Sequence, residues 1–317
     1  MKRLRSISTG ALSRIGASVL LTGLALAIGG NAWAAEGPAL VPKLNLRPLT
    51  PTEITAFKLP AGTQKSAGLS STGVGQPFYL EILVPHGVVV TNIVWTLDRP
   101  STSTVALATS PLDATNAPTY EVSDRLVYDV AGRKLLVPDV VGPYSVMAVL
   151  STDSTNPPVT VGMGLMAANY VGAGEIGNAP PPQCNSCHED KAEMWKETRH
   201  ATMFTRSIDG SNGTYRASCI SCHTLGYDTA AKAVNGGFDD IAAQVGWTFP
   251  TNFQAGNWAM VPAALKTVSN IQCESCHGPG STHRGKEGTV AVEYSTGTCA
   301  QCHDAMSHHY KQAEWNN

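Results

Sequence analysis

All eight cysteines of this 317-residue chain fall in four Cys-x-x-Cys-His units: Cys184-Asn-Ser-Cys187-His188, Cys219-Ile-Ser-Cys222-His223, Cys273-Glu-Ser-Cys276-His277 and Cys299-Ala-Gln-Cys302-His303. The pattern is that of c-type haem attachment. Two thiols must reach the two vinyl groups on one haem edge, and the histidine that follows turns back under the ring to ligate iron. A zinc site, a redox dithiol or a disulfide framework would leave the histidine after every second cysteine unexplained. The reading is four covalently bound haem c groups, attached at Cys184, Cys187, Cys219, Cys222, Cys273, Cys276, Cys299 and Cys302, with His188, His223, His277 and His303 as proximal ligands.

Four haems within residues 183–317 leave roughly 34 residues for each, too few to bury them in an ordinary side-chain core. The haems then act as the core, and the chain around them is expected to be loops and short helices. Helices are expected over 190–203 and 238–244. The long stretch between His223 and Cys273, with Trp247 and Trp258, is expected to pack aromatics on haem faces.

Residues 1–34 carry Lys2, Arg3, Arg5 and Arg14, an apolar run from Ile15 to Ile28 and the small-x-small site Ala32-Trp33-Ala34. This is the pattern of a secretory signal peptide. The run is shorter than the roughly 20 apolar residues of a spanning helix, and no cysteine follows the site to accept a lipid. The expected mature chain starts near Ala35, carries no integral membrane segment and lies in the periplasm or outside the cell. Its 22 Lys and Arg less four in the leader, against 24 Asp and Glu, give a formal −6. That balance argues against nucleic acid and anionic membranes as partners and suits basic patches on redox proteins, or metal ions. It equally keeps a secreted protein in solution.

Residues 35–173 hold no cysteine and a single histidine, His86. β-Branched runs separated by Pro, Gly and Ser, over 77–84, 87–95, 125–128, 133–137 and 144–150, predict an antiparallel β-sandwich preceded by an extended leader over 35–70. A Gly/Pro-rich linker at 174–182 then separates this domain from the haem domain at 183–317.

The sixth position on each iron decides between electron transfer and substrate binding. Besides the motif histidines, the haem domain holds His200, His283, His308 and His309, a number that matches four irons. Met203 and Met306 are alternatives that would raise the potential. His86 is either a turn residue or a ligand reaching a haem across a domain or subunit boundary.

Two resemblances add to this. The run Val94-Trp95-Thr-Leu-Asp-Arg-Pro100, followed by Lys134-Leu-Leu-Val-Pro-Asp139 and Tyr144, resembles immunoglobulin-like modules of the polycystic-kidney-disease type, without the inter-sheet disulfide of antibody domains. That resemblance makes Trp95 a core residue and Tyr144 a packed strand residue. Cys184-x-x-Cys187-His188 with Trp195 and His200, and above all Cys273-Glu-Ser-Cys276-His277-Gly-Pro-Gly-Ser-x-His283, resemble tetrahaem cytochromes of the nitrifier c-554 type. The resemblance implies that His283 and His200 are distal ligands to haems attached elsewhere in the chain. Six residues after a proximal histidine also leave the chain little room to cross the ring. The c-554 type leaves one haem without a sixth protein ligand, whereas this chain has histidines enough to close all four.

The function expected is electron transfer, not catalysis. The chain reads as a secreted tetrahaem cytochrome passing electrons to redox partner proteins or extracellular acceptors. It would act as a carrier or as a subunit of an extracellular conductive filament, a homopolymer to which His86 and the adjacent His308-His309 pair could donate ligands. The competing class is a multihaem oxidoreductase acting on a small nitrogen or sulfur compound at an open haem.

Overall fold

A computed structural model describes residues 41–114, 119–123, 126–153, 156–293 and 295–304. The expected signal peptide, Met306, His308 and His309 lie outside the described residues.

The N-terminal half is built from β1 (Lys43–Leu46), β2 (Ser71–Gly73), β3 (Phe78–Pro85), β4 (Val90–Asp98), β5 (Tyr120–Ser123), β6 (Leu126–Leu136), β7 (Gly142–Thr152) and β8 (Val159–Ala168). They form two four-stranded sheets, ordered β1-β3-β6-β5 and β2-β8-β7-β4. All pairings are antiparallel except β2 with β8. The period of two in β7 drives the packing: Tyr144, Val146, Ala148 and Leu150 point inward, and meet Phe78, Leu80, Ile82 and Val84 of β3 in one core. Trp95 is half-buried on the edge strand β4, packed against this core rather than inside it.

Some strands differ from the sequence expectation. The runs 125–128 and 133–137 are one strand, β6, because Ala131 is taken up as an extra residue opposite the Ile82–Leu83 step, a β-bulge. Gly132 beside it is a close approach: a Cβ there would lie 2.7 Å from Ile93 Cδ1 of the facing sheet. Strand β8 had no counterpart in the sequence reading, since Gly162 and Gly164 interrupt its pattern.

The leader is not loose. Thr50 caps α1 (Pro51–Ala56) through a capping box with Glu53, and Leu49 and Leu59 pack on Tyr79 and Leu112. This covers the outer face of β3, so both its faces are buried. On that covered face Glu81 lies directly opposite Arg133 and accepts from its Nε at 2.8 Å, while Arg133 Nη1 donates to Leu112 O at 3.1 Å. The pair is satisfied by charge and by hydrogen bonding, as a buried ion pair must be.

The C-terminal half is made of short helices and loops: α2 (Glu189–Lys196), α3 (Met203–Arg206), α4 (Ile220–His223), α5 (Phe238–Gln244), α6 (Asn257–Met260), α7 (Ala263–Lys266), α8 (Cys273–His277) and α9 (Thr296–Ala300). Helix α5 lies where the sequence placed it. The helix expected over 190–203 stops at Lys196, because Ile271 clamps the next turn from both sides. Trp195 Nε1 donates to Ile271 O at 2.9 Å, and Ile271 N donates to His200 O at 3.2 Å. The aromatics between His223 and Cys273 pack on one another: Trp247, Phe249, Phe253 and Trp258 surround Phe204, Tyr215 and Phe238. Phe204–Phe238 and Phe238–Trp247 meet edge to face at 5.3 and 5.5 Å. This part of the chain therefore builds a side-chain core of its own.

The described residues fall in one compact unit. Asn169 leaves β8 and pairs at once with Ser281 through backbone and hydroxyl bonds of 3.1 and 2.9 Å. The leader reaches furthest: Thr52 Oγ1 donates to Asp304 Oδ1 at 2.7 Å, and Ser66 O and Ala67 O accept from Gln301 Nε2 and Thr298 Oγ1 at 2.6 and 3.2 Å. No helix among the described residues is long and apolar enough to cross a membrane.

Candidate haem-binding site

Cysteines at i and i+3 with a histidine at i+4 share one face of a helical turn. Helix α8 is such a turn, running from Cys273 to His277. In the first and fourth motifs the same geometry is closed by one backbone bond, from His188 N to Cys184 O and from His303 N to Cys299 O, each 3.0 Å. A single turn thus presents two thiols and an imidazole together.

The motifs also touch one another. The Cys184 and Cys273 thiols interact with each other, which holds the Cys184 thiol up and the Cys273 thiol down. The Cys222 and Cys302 thiols interact in the same way, which together with burial pushes the Cys302 thiol up. Each of these two thiols also faces a carbonyl of the other turn: Cys222 Sγ lies 3.9 Å from Gln301 O, and Cys302 Sγ 3.8 Å from Cys222 O. Cys276, pushed up chiefly by burial, lies within electrostatic reach of Cys299. The attachment points therefore form a continuous series in space: first, third, fourth and second motif. Cys187 is exposed, and the other seven are half-buried. Among the described residues no three His, Cys, Asp or Glu side chains converge as they would around a zinc ion.

Two spare histidines face motif histidines. The rings of His188 and His283 are 6.3 Å apart, centroid to centroid, and 16° from parallel. Those of His200 and His303 are 6.1 Å apart and inclined by 47°. A metal–imidazole nitrogen bond of about 2.0–2.1 Å, with about 1.1 Å from nitrogen to ring centre, puts two imidazoles on opposite sides of one ion about 6.3 Å apart. Both separations are those that two imidazoles would have if they held one iron between them. His283 Nδ1 lies 3.1 Å from Lys286 O and from Thr289 Oγ1. A carbonyl oxygen only accepts, so Nδ1 carries the proton and Nε2 keeps its lone pair for a metal. His277 is oriented in the same way, by Ala291 O at 2.8 Å. A cavity of about 640 Å³ opens between the first motif and the 283–292 loop, walled by Cys184, Cys187, His188 and His283. Cys184 and Cys187, with His188 and His283, would hold a haem there, and haem c would supply a one-electron iron couple.

The remaining predicted residues are placed differently. His223 stacks on the buried Tyr215, 5.3 Å away and 11° from parallel, and burial pushes the Tyr215 phenol well up. His86 lies on the exposed turn between β3 and β4, where Nδ1 meets Asp129 Oδ1 at 3.0 Å. Its place there is that of a turn residue.

Sequence reasoning missed the residues that hold the motifs in position. Glu274, inside the third motif, is 3% exposed. Its carboxylate accepts from Gly280 N at 2.6 Å, Gly172 N at 2.7 Å and Val171 N at 3.2 Å. Burial nonetheless pushes it up to about 7. Gln272 accepts from Ala173 N at 2.5 Å and donates to Thr267 O and Ser269 O. The detectable signal was a charged residue between two attachment cysteines.

Residues 183–246, which contain the first two motifs, match the family model described as cytochrome c554 and c-prime. The chain is also similar to cytochrome c-554 of Nitrosomonas europaea, 23% identical over 117 residues. That stretch covers 32% of this chain and 39% of the Nitrosomonas protein. These matches support a c-type cytochrome with covalently held haem that takes part in electron transport.

Proposed function

We propose that the chain is a secreted tetrahaem c-type cytochrome that transfers electrons through bis-histidine haems, as a carrier or as a filament subunit. The observation that carries this reading is the pair of imidazole separations, 6.3 Å for His188–His283 and 6.1 Å for His200–His303. In it, the eight cysteines hold the cofactors covalently and the four motif histidines ligate from one side. His283 ligates opposite His188, and His200 opposite His303. His308 and His309, which lie outside the described residues, are the remaining histidines for the other two irons, and His86 would serve only a haem of a neighbouring subunit. Haem c supplies a reversible one-electron iron couple at each motif. The chain's part is to fix ligand identity, spacing and solvent access, and a second histidine in place of methionine holds the potential low.

The domain reading accompanies this: a signal peptide at 1–34, an immunoglobulin-like sandwich with its leader at 35–173, a linker at 174–182 and the haem domain at 183–317, exported to the periplasm or beyond. The sandwich part is supported by Tyr144, whose hydroxyl donates back to Val140 O at 3.0 Å in the manner of a tyrosine corner.

The test is a potentiometric titration of the secreted protein with optical and paramagnetic-resonance detection. Four one-electron, low-spin centres at low potential are expected. A high-spin ferric centre that turns over hydroxylamine, nitrite or sulfite would favour the oxidoreductase instead. Electron microscopy of the same material separates carrier from filament.

A further inference from the structure

The cavity between the first motif and the 283–292 loop has one more feature. Arg284 and Lys286 line it, and neither has a carboxylate partner among the described residues, although Glu287 lies on the same wall. Lys191 and Lys196, on the helix α2 that follows this motif, are by contrast paired with Asp190 and Glu193. Arg284 stands at φ 39°, a left-handed conformation that a side chain other than glycine adopts under strain. Arg284 and His283 line the same cavity. Lys286 also lines the cavity, and its carbonyl accepts from His283 Nδ1.

A haem tied at one edge to Cys184 and Cys187, and faced by His188 and His283, has two propionate carboxylates on its opposite edge. We propose that Arg284 and Lys286 bind these propionates, so that the loop carrying the distal histidine also sets the charge balance of the first haem. This rests on the haem reading given above. Arg284 offers a planar pair of N–H donors matched to a carboxylate, and Lys286 a mobile point charge. Positive charge beside the haem favours the state with one more electron, so the two residues raise the potential of this haem.

The test uses the full secreted chain. Arg284→Gln/Lys286→Gln removes both charges from exposed positions, and each single variant is expected to give part of the effect. Peptide mass mapping first establishes a haem on Cys184 and Cys187 in every protein compared. Its redox wave is identified as the one missing from Cys184→Ser/Cys187→Ser. The expected result is a shift of that wave to lower potential by about tenfold in the ferric/ferrous equilibrium, about 59 mV for one electron. The other three waves stay in place, and Arg284→Lys/Lys286→Arg restores the parent value. An unchanged first-haem potential with the haem in place overturns the propionate assignment and leaves the cytochrome reading intact. A parent chain without haem on Cys184 and Cys187 overturns both.

Discussion

Replacing His283 with alanine is expected to leave four haems attached and to turn one of them, the haem at Cys184 and Cys187, from low-spin to high-spin. All eight thiols survive the change, so attachment is untouched. The iron loses a nitrogen donor whose ring lies 6.3 Å from that of His188. About a quarter of the ferric resonance intensity should move to the high-spin region, and one haem per chain should bind carbon monoxide when reduced. His200→Ala should produce the same signature at Cys299 and Cys302, because its ring faces His303 at 6.1 Å. His277→Ala should instead impair haem incorporation at its own motif. Four low-spin haems with unchanged potentials in the His283 variant would reduce that residue to a surface or supporting role.

The second large effect is expected at Glu274. Alanine there leaves the buried N–H groups of Val171, Gly172 and Gly280 without their acceptor, and unsatisfied buried groups cost about 1–3 kcal/mol each. Part of that loss is returned because a buried carboxylate is itself unfavourable, so a net destabilisation of about 2–4 kcal/mol is expected. Its pH dependence has a definite sign. The folded protein holds the Glu274 proton up to about pH 7, whereas the unfolded chain releases it near the ordinary carboxyl value of 4.5. Between those values the folded state binds more protons, so stability falls as pH rises through the window and levels off above it. The variant lacks this slope, and its deficit is therefore largest at the acid end of the window and smallest above pH 7. Denaturant titrations of both proteins across that range read the difference. A deficit that grows with pH would mean that the carboxylate is ionised throughout.

How far the sequence reaches depends on how local each determinant is. The two thiols and the imidazole of a motif share one turn because of their spacing alone, and α8 forms that turn from Cys273 to His277. The strands β3, β4 and β7 were readable from β-branched alternation. Strand β8 was not, because its outward Gly162 and Gly164 read as turns, and β6 was divided because the bulge at Ala131 depends on the neighbouring strand. That His283 faces an imidazole other than that of His277 followed from the short connection between them. Which imidazole it faces is a matter of tertiary structure. The leader was opaque for the same reason: Thr52 meets Asp304, and Ser66 meets Gln301, across more than half the chain. Glu274 sits inside a motif by sequence, while its role depends on backbone donors about 100 residues earlier.

The central claim is that each of the four motifs covalently holds one haem. Intact mass of the protein purified from its native host, followed by peptide mapping, is the decisive measurement. The account predicts the mass of the polypeptide plus four haems, with one haem on each of the peptides containing Cys184–His188, Cys219–His223, Cys273–His277 and Cys299–His303. A mature, stably folded chain with any of those cysteine pairs free, disulfide-linked or bound to zinc would contradict it.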